Sequence, residues 1–230
     1  MPSHPRTAVV LVAGGSGTRV GGPTNKVLLP LRDVPVLGWS LRTALGLPYV
    51  EQVVVVAREQ DLDAVSSLVE QHAPEGREVG VVVGGGTRHD SEWNGLRTLR
   101  GSVAALDVVV VHDAARPLAE PALFDRVVEV AHEHGAAVPG RPQHGLVSLD
   151  GREQVLGLVA VQTPQAFRAA PLMEAYRRAA EDGFAATDTA GCVAAYTDLA
   201  VRLVPAPATN LKVTFPEDVA LAERLLSLRR

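Results

Sequence analysis

The chain has 230 residues, 47% of them hydrophobic and 21% charged, and this composition predicts a single α/β domain over residues 1–230. A net charge of −4 indicates neither nucleic acid nor an anionic membrane as partner, so any anion site must be local. The single cysteine, Cys192, excludes an intramolecular disulfide and favours a cytoplasmic setting. The first residues indicate a strand and not a signal peptide, and no apolar run approaches the ~20 residues of a membrane span.

Short valine-rich runs alternate with helical patterns along the chain. The runs predicted to be strands are Thr7–Val12, Gln52–Ala57, Val79–Val83 and Asp107–Asp113. Continuous apolar runs of this length are typical of strands buried on both faces of a parallel sheet. The helical patterns begin near Val34, Asp61, Thr87, Glu120, Ala170 and Pro216. The alternation predicts a Rossmann-like, doubly wound, mostly parallel sheet whose ligands bind at the carboxyl ends of the strands.

The regular alternation fails between residues 139 and 158. Glycine, proline and aspartate punctuate two short strand-like pieces there. This pattern predicts a short β-arm that leaves the main sheet.

The loop after the first strand concentrates five glycines between Val12 and Leu31, together with Arg19 and Lys26. It fits neither a dinucleotide fingerprint, because the third glycine is missing, nor a P-loop, because no Gly-Lys-Ser/Thr follows. Glycines allow backbone N–H groups to approach an anion, and the two cations add charge, so the loop fits a nucleoside triphosphate. An ordinary turn with surface cations is the alternative.

Lysine is rare in this chain, since only Lys26 and Lys212 occur among 22 basic residues. Lysine is a compact point charge that reaches phosphate without planar geometry, which arginine does not reproduce. The two lysines are therefore candidate phosphate contacts, with chance as the alternative.

Polar residues also follow the third and fourth predicted strands. After Val83 come Gly84–Gly86 and then a polar helix start that offers Arg88, Asp90 and Ser91. The glycines permit flat contact with a base or ribose, unless the segment is only a flexible loop. Asp113 closes an apolar strand, where a buried carboxylate needs a partner or a metal, and Arg116 follows three residues later. A simple Asp–Arg pair that caps the loop is the alternative.

The C-terminal half offers Thr187 and Asp188 at a predicted helix start, which N-capping alone would also explain. Cys192 is predicted to be a small apolar residue on that helix, and His112 a strand residue. The histidines lack ligand spacing, and His132 and His134 are expected to be solvated.

The ensemble resembles the 2-C-methyl-D-erythritol 4-phosphate cytidylyltransferase family and its cousins that use ribitol 5-phosphate. The resemblance is carried, in family order, by AGGSGTR, NKVLLPL, GGGTRHDSEWNGL, VHDAARPL, QTPQAF, TDTAGCV and NLKVTFPEDVALAE. It implies a homodimer that uses CTP and Mg²⁺ to transfer CMP to methylerythritol phosphate in isoprenoid biosynthesis.

The resemblance also implies roles for particular residues. Arg19, Lys26 and Lys212 would be catalytic, the first two by stabilising charge on the triphosphate and the third by positioning the acceptor phosphate. The acceptor would be bound by Asp113, Arg116 and Thr187. No residue is assigned as a metal ligand, and contact of Mg²⁺ with Asp113 or with the phosphates alone stays open. The nucleotide would be held by Ala13, Gly14, Gly15, Gly17, Gly85, Gly86 and Ser91.

The sequence departs from the family pattern in two places, and the second departure leaves acceptor recognition open. The family usually has Ala-Ala-Gly and Pro-Lys-Gln where Ala13-Gly14-Gly15 and Asn25-Lys26-Val27 stand here, changes that spare the charged atoms. The arm is shorter than in the family, and Val155 lies about where an arginine for the acceptor phosphate is expected, with Arg141 or Arg152 as possible substitutes. A different polyol phosphate acceptor and a degenerate nucleotide-binding homologue are therefore alternatives.

Overall fold

The computed structural model describes residues 4–15, 25–99, 101–148, 150 and 152–228. Its strands are β1 (Thr7–Val12), β2 (Pro30–Leu31), β3 (Val34–Pro35), β4 (Val50–Ala57), β5 (Val79–Val83), β6 (Val108–Asp113), β7 (Ala136–Pro142), β8 (Leu146–Val147), β9 (Gln154–Val155), β10 (Val159–Val161), β11 (Gln165–Arg168) and β12 (Val201–Pro205). Its α-helices are α1 (Val36–Gly46), α2 (Leu62–His72), α3 (Arg88–Thr98), α4 (Pro121–His134), α5 (Ala169–Asp182), α6 (Thr189–Tyr196) and α7 (Pro216–Leu228).

One eight-stranded sheet organises the described chain. Its order is β10-β7-β11-β6-β1-β4-β5, with β12 paired to β7. The strands β6, β1, β4 and β5 run parallel, whereas β11 is antiparallel to both β6 and β7. The predicted strands and helices therefore exist, and the mostly parallel doubly wound sheet is confirmed. The strands β11 and β12 were not predicted, and β7 begins before the predicted arm.

Alternate residues of the strands face opposite layers of helices. In β1, Val9 and Leu11 join a buried cluster with α1, α2 and α4. Ala8 and Val10 join the cluster formed with α3, α5 and α6. Both faces are covered, which is why these strands are apolar without alternation in the sequence.

Two neighbouring strands carry candidate site residues to the same edge of the sheet. β1 pairs with β6 in parallel, and Val12 lies opposite Asp113. The bond from the Ala114 N–H to the Val12 carbonyl, 3.1 Å long, extends this pairing past the strand ends. The residues that follow each strand therefore emerge side by side.

The segment 139–158 contains the rest of β7 and a two-stranded sheet of its own. In that sheet β8 and β9 pair antiparallel, and Val155 lies opposite Leu146. Farther along the chain, β10 pairs back onto the second half of β7. Among the described residues no helix is both long enough and apolar enough to cross a membrane.

Candidate active site

Glycines from two distant parts of the sequence meet around Ser91. The Ser91 hydroxyl accepts a hydrogen bond from the Gly85 N–H (3.0 Å) and donates one to the Thr87 carbonyl (2.9 Å). A Cβ on Gly84 would lie 2.8 Å from the Ser91 Oγ, and a Cβ on Gly14 would lie 3.5 Å from it. The described structure thus explains Gly84 by packing, and it gives Ser91 the task of shaping the loop.

Gly15 and Gly86 have no comparable packing reason among the described residues. A Cβ on Gly15 would meet nothing within 4 Å, and one on Gly86 would meet only Asp90, at 3.8 Å. Their backbones are exposed at the edge of the sheet. Contact of these glycines and of Ser91 with a nucleotide stays a prediction.

Asn25 ties the far end of the glycine-rich loop back to β1. Its buried amide donates to the Ala13 carbonyl (3.0 Å) and to the carboxylate of Asp61 (2.8 Å). Asp61 also accepts a 2.6 Å bond from Arg58. Lys26 follows directly and begins a short 3₁₀ helix over Lys26–Leu28. The predicted Gly17 and Arg19 lie outside the described residues.

Asp113 is the centre of a cluster of cations at the end of β6. It is buried, and its Oδ2 accepts a 2.7 Å bond from Lys212. Its Oδ1 accepts a bond from Arg88, and the Arg116 Nε lies 3.9 Å from Oδ2. Burial alone would raise the pKa of Asp113, but the charges of Arg88 and Lys212 hold it well below its usual range. Asp113 is therefore an ionised carboxylate.

Arg116 is oriented by the backbone of the segment that carries Lys212. Its Nη1 donates to the Asn210 carbonyl (2.8 Å). The buried Asn210 amide donates in turn to the Thr163 carbonyl (2.9 Å) and to the Gln162 side chain (2.8 Å). Thr163 completes the connection, since its hydroxyl accepts a 2.9 Å bond from the Asp113 N–H.

The beginning of α6 forms another wall of the site. Asp188 is its N-cap and accepts a 2.9 Å bond from the Gly191 N–H, so the predicted N-capping is confirmed. Its other oxygen accepts a 3.0 Å bond from the side-chain amide nitrogen of Gln165. The side-chain oxygen of Gln165 in turn accepts a bond from the Ala190 N–H. This double contact fixes Asp188, and with it the adjacent Thr187, to β11.

These walls enclose an open cavity of about 210 Å³. The predicted acceptor residues Asp113, Arg116 and Thr187 all line it, together with the predicted catalytic Lys212. The sequence gave the remaining lining residues no role as ligand contacts in this site. They are Arg88, Val161, Gln162, Thr163, Gln165 and Asp188. A cavity lined by three cations and two carboxylates suits a small ligand that carries both an anionic group and hydroxyls.

The expected substitutes for the missing arm arginine do not line this cavity. Arg141 is exposed on β7, and Arg152 is exposed and lies 3.6 Å from Asp150. The arginine that reaches the cavity from outside the predicted set is Arg88, the first residue of α3. The signal available in the sequence was its place directly after the glycines that end β5.

Two further side chains behave as the sequence indicated. Cys192 is buried on α6, and burial raises the pKa of its thiol to about 12. A thiol with such a pKa is not a nucleophile at neutral pH. His132 and His134 are exposed near the end of α4.

The burial of His112 is expected to make the stability of the protein sensitive to acid. This histidine is fully buried beside Thr163, and burial lowers its pKa to about 3. The folded histidine is neutral, whereas the unfolded one takes up a proton below pH ~6.5, so its stabilising contribution is lost as the pH falls from 6.5 towards 3. Because of this residue, we expect the free energy of unfolding to be about 2 kcal/mol lower at pH 5 than at pH 7.

Urea unfolding at both pH values measures this loss. The matched variant His112→Asn keeps a polar atom for Thr163 and removes the titration, so its loss should be smaller by about that amount. Equal losses in the two proteins would contradict the prediction.

The fold and the cation-lined edge define a class of protein. The glycine loop after β1 and the cavity around Asp113 follow adjacent strands, where two phosphorylated substrates can be held side by side. Neither a serine nor a cysteine is among the described residues that line the cavity, and direct transfer between two bound substrates needs neither. These features suit a nucleotidyltransferase, and the family that the chain matches is of that class.

Comparison with known proteins identifies the family. The family model described as 2-C-methyl-D-erythritol 4-phosphate cytidylyltransferase matches residues 7–228, and the chain belongs to that family. A protein of that name from Symbiobacterium thermophilum is 38% identical over 226 residues, which cover 95% of this chain and 92% of the relative. Another, from Pelotomaculum thermopropionicum, is 35% identical over 98% of this chain and 96% of its own length.

Solved structures agree with this assignment. The crystal structure of 2-C-methyl-D-erythritol 4-phosphate cytidylyltransferase from Thermus thermophilus superposes with a TM-score of 0.75 at 30% identity, covering 97% of this chain and all of the other. A synthase structure from Anaerococcus prevotii gives a TM-score of 0.81 at 22% identity over 97% of both chains, which supports the fold.

Proposed function

We propose that this chain transfers the cytidylyl group of CTP to 2-C-methyl-D-erythritol 4-phosphate and releases pyrophosphate, a step of isoprenoid precursor synthesis. The observation that carries the proposal is the cavity in which Asp113, Arg116, Thr187 and Lys212 converge, at one edge with the glycine loops. Membership of the family supports the same reaction.

In this reaction an acceptor phosphate oxygen attacks the α-phosphorus of CTP. The bond to that oxygen forms as the bond to the β-phosphate oxygen breaks, and pyrophosphate leaves with the electron pair. Both reactants are anions, so the protein must neutralise their repulsion and align them. We assign the triphosphate charge to Arg19 and Lys26, and the acceptor phosphate to Lys212 and its neighbouring arginines.

Asp113 has a different part in this proposal. Its carboxylate oxygens accept bonds from the surrounding cations, and it is suited to accept from acceptor hydroxyls as well. It would thereby distinguish a polyol phosphate from inorganic phosphate. The buried and ionised state of this residue supports that task.

We propose that Mg²⁺ enters with the triphosphate, as the family resemblance implies. Mg²⁺ prefers oxygen ligands from a few carboxylates plus substrate phosphates. Asp113 is already surrounded by cations, and no group of three acidic, histidine or cysteine residues that suits a metal occurs in the described part of the chain. The described residues therefore do not fit a protein-held metal cage, and the phosphates are the better ligands.

We also propose that the protein is a cytoplasmic homodimer joined through the arm. Several large apolar side chains around β8, β9, β10 and β12 are exposed, namely Leu146, Val147, Leu156, Leu158, Val161 and Leu203. Such a patch is typical of an interface. Leu156, 72% exposed, tests it: Leu156→Asp should give a monomer in sedimentation velocity, while Leu228→Asp on α7 should not. A monomeric parent protein, or a dimeric Leu156→Asp variant, would contradict this assembly.

Pyrophosphate release by the purified protein tests the proposed reaction. With Mg²⁺, CTP and 2-C-methyl-D-erythritol 4-phosphate, we expect release that depends on the acceptor and is faster with CTP than with ATP. Ribitol 5-phosphate is the matched acceptor control. Release with ribitol 5-phosphate alone would reassign the acceptor, and CTP binding without any release would indicate a degenerate homologue.

A further inference from the structure

Glu92 is a carboxylate buried inside the layer of helices behind the site. It lies on α3 with none of its surface exposed. Its Oε1 lies 2.9 Å from the Arg88 Nε and accepts a 3.1 Å bond from the Thr189 hydroxyl. Its Oε2 accepts a bond from the Tyr176 hydroxyl. One carboxylate thus joins three helices, α3, α5 and α6.

The contacts of Glu92 suit its ionised form. A carboxylate is acceptor-only when ionised, and here two hydroxyls donate to its two oxygens while the Arg88 Nε forms an ion pair with Oε1. Burial raises the pKa of Glu92, and the charge of Arg88 opposes that effect. Glu92 and Arg88 form an ion pair, so the charge of each residue stabilises the charge of the other.

Arg88 lies between two buried carboxylates. Its Nε faces Glu92 and its Nη1 donates to Asp113, which fixes two edges of the planar guanidinium. Arginine has five N–H donors in a rigid fork. Since Arg88 also lines the cavity with a side chain 28% exposed, the remaining N–H groups are placed where an anion can bind.

Glu92 also holds the opposite wall of the cavity. Thr189, its partner on α6, is buried and lies two residues after Thr187. Asp188 between them caps α6 and lines the cavity. A shift of Glu92 would therefore disturb both the Arg88 side and the α6 side.

We propose that Glu92 is the positioning residue of the acceptor pocket, holding Arg88 against Asp113 and the start of α6 in place so that Arg88 binds the anionic group of the acceptor. Glu92 itself does not line the cavity. The helices that its partners join also carry buried apolar residues, namely Leu96, Leu172 and Cys192. A buried charge is a costly way to join helices, since apolar residues of similar volume are often neutral or stabilising. The charge is explained by its effect on Arg88.

A double-mutant cycle tests this proposal, which rests on the proposed acceptor chemistry. Glu92→Gln keeps the shape of the side chain and removes its charge. We expect the KM for the acceptor to rise about tenfold, equivalent to about 1.4 kcal/mol, with the KM for CTP unchanged. In an Arg88→Ala background the same substitution should change the acceptor KM less than twofold, because the group it positions is gone.

Tyr176→Phe is the matched control, since it removes one hydrogen bond and keeps both charges of the pair. Its acceptor KM should change less than threefold. Equal changes in both KM values for folded Glu92→Gln, no change in either, or additive effects with Arg88→Ala would overturn the proposal. Circular dichroism and urea unfolding establish that each variant is folded.

The cycle remains informative if the proposed reaction fails. Without turnover, calorimetric titration with inorganic phosphate provides the same comparison of the four proteins. Phosphate binding that is weaker in Glu92→Gln than in the parent, and no weaker in the double variant than in Arg88→Ala, would support Glu92 as the positioning residue even with a different acceptor. Phosphate binding that is equal in the parent and in Glu92→Gln would overturn it.

Discussion

Lys26→Ala is expected to lower kcat on the order of 10²–10³-fold, the usual effect of losing one charge that stabilises a transition state. The structure supports this expectation through Asn25, which is bonded to the end of β1 and so fixes the residue that precedes Lys26. Lys26 is partly exposed, so the variant should fold like its parent. Pyrophosphate release at saturating CTP and acceptor measures the effect.

The control for this prediction is a charge removed elsewhere. Arg126 on α4 is 59% exposed and, within the described part of the chain, forms an ion pair with Glu129 on its own helix, so Arg126→Ala should leave kcat unchanged. Lys26→Arg should retain part of the rate, because it keeps the charge but not the compact geometry of the ammonium. Turnover of Lys26→Ala within threefold of the parent would contradict the assignment of Lys26 to the triphosphate.

Asp113→Asn is expected to reduce both acceptor turnover and stability. It leaves Arg88, Lys212 and Arg116 without their shared anion, and removing one partner of a buried polar interaction costs about 1–3 kcal/mol. The two closest cations are partly exposed, which places the cost towards the lower end of that range. We expect the acceptor kcat/KM to fall on the order of 10²–10³-fold.

Inorganic phosphate provides a sharper readout of the same variant. An added anion can replace the missing carboxylate, and a ligand that binds only the folded state stabilises it by mass action. Urea unfolding with and without phosphate should therefore show a larger stabilisation of Asp113→Asn than of the parent. A phosphate effect that is equal in both proteins would show that the cations do not form one anion-binding cluster.

Sequence patterns were sufficient for the parallel strands β1, β4, β5 and β6 and for the residues at their ends. Asp113 was predicted to need a partner because it closes an apolar strand, and the structure gives it Arg88 and Lys212. Ser91 was predicted near the nucleotide because it follows Gly84–Gly86, and the structure brings Gly14 to the same place. Periodicity and strand ends are local properties, so they can be derived from neighbouring residues.

Contacts between side chains on separate elements could not be derived in that way. Arg88 follows β5, whereas Asp113 ends β6, and two strands lie between them in the sheet. Glu92 is an ordinary polar residue of a helix in the sequence, and only the packing of α5 and α6 over it shows that it is buried. Such pairings depend on how distant segments pack in the folded chain, and local patterns in a single sequence do not determine that packing.

The register of β1 with β6 has a consequence for how this enzyme can change. Because Val12 lies opposite Asp113, the spacing between the glycine loop after β1 and the cavity around Asp113 is set by two hydrogen-bonded strands in the middle of the sheet. Residues of the surrounding turns and of the arm can then vary while the separation of these two places stays constant. Divergence of substrate preference is thereby separated from preservation of the chemistry.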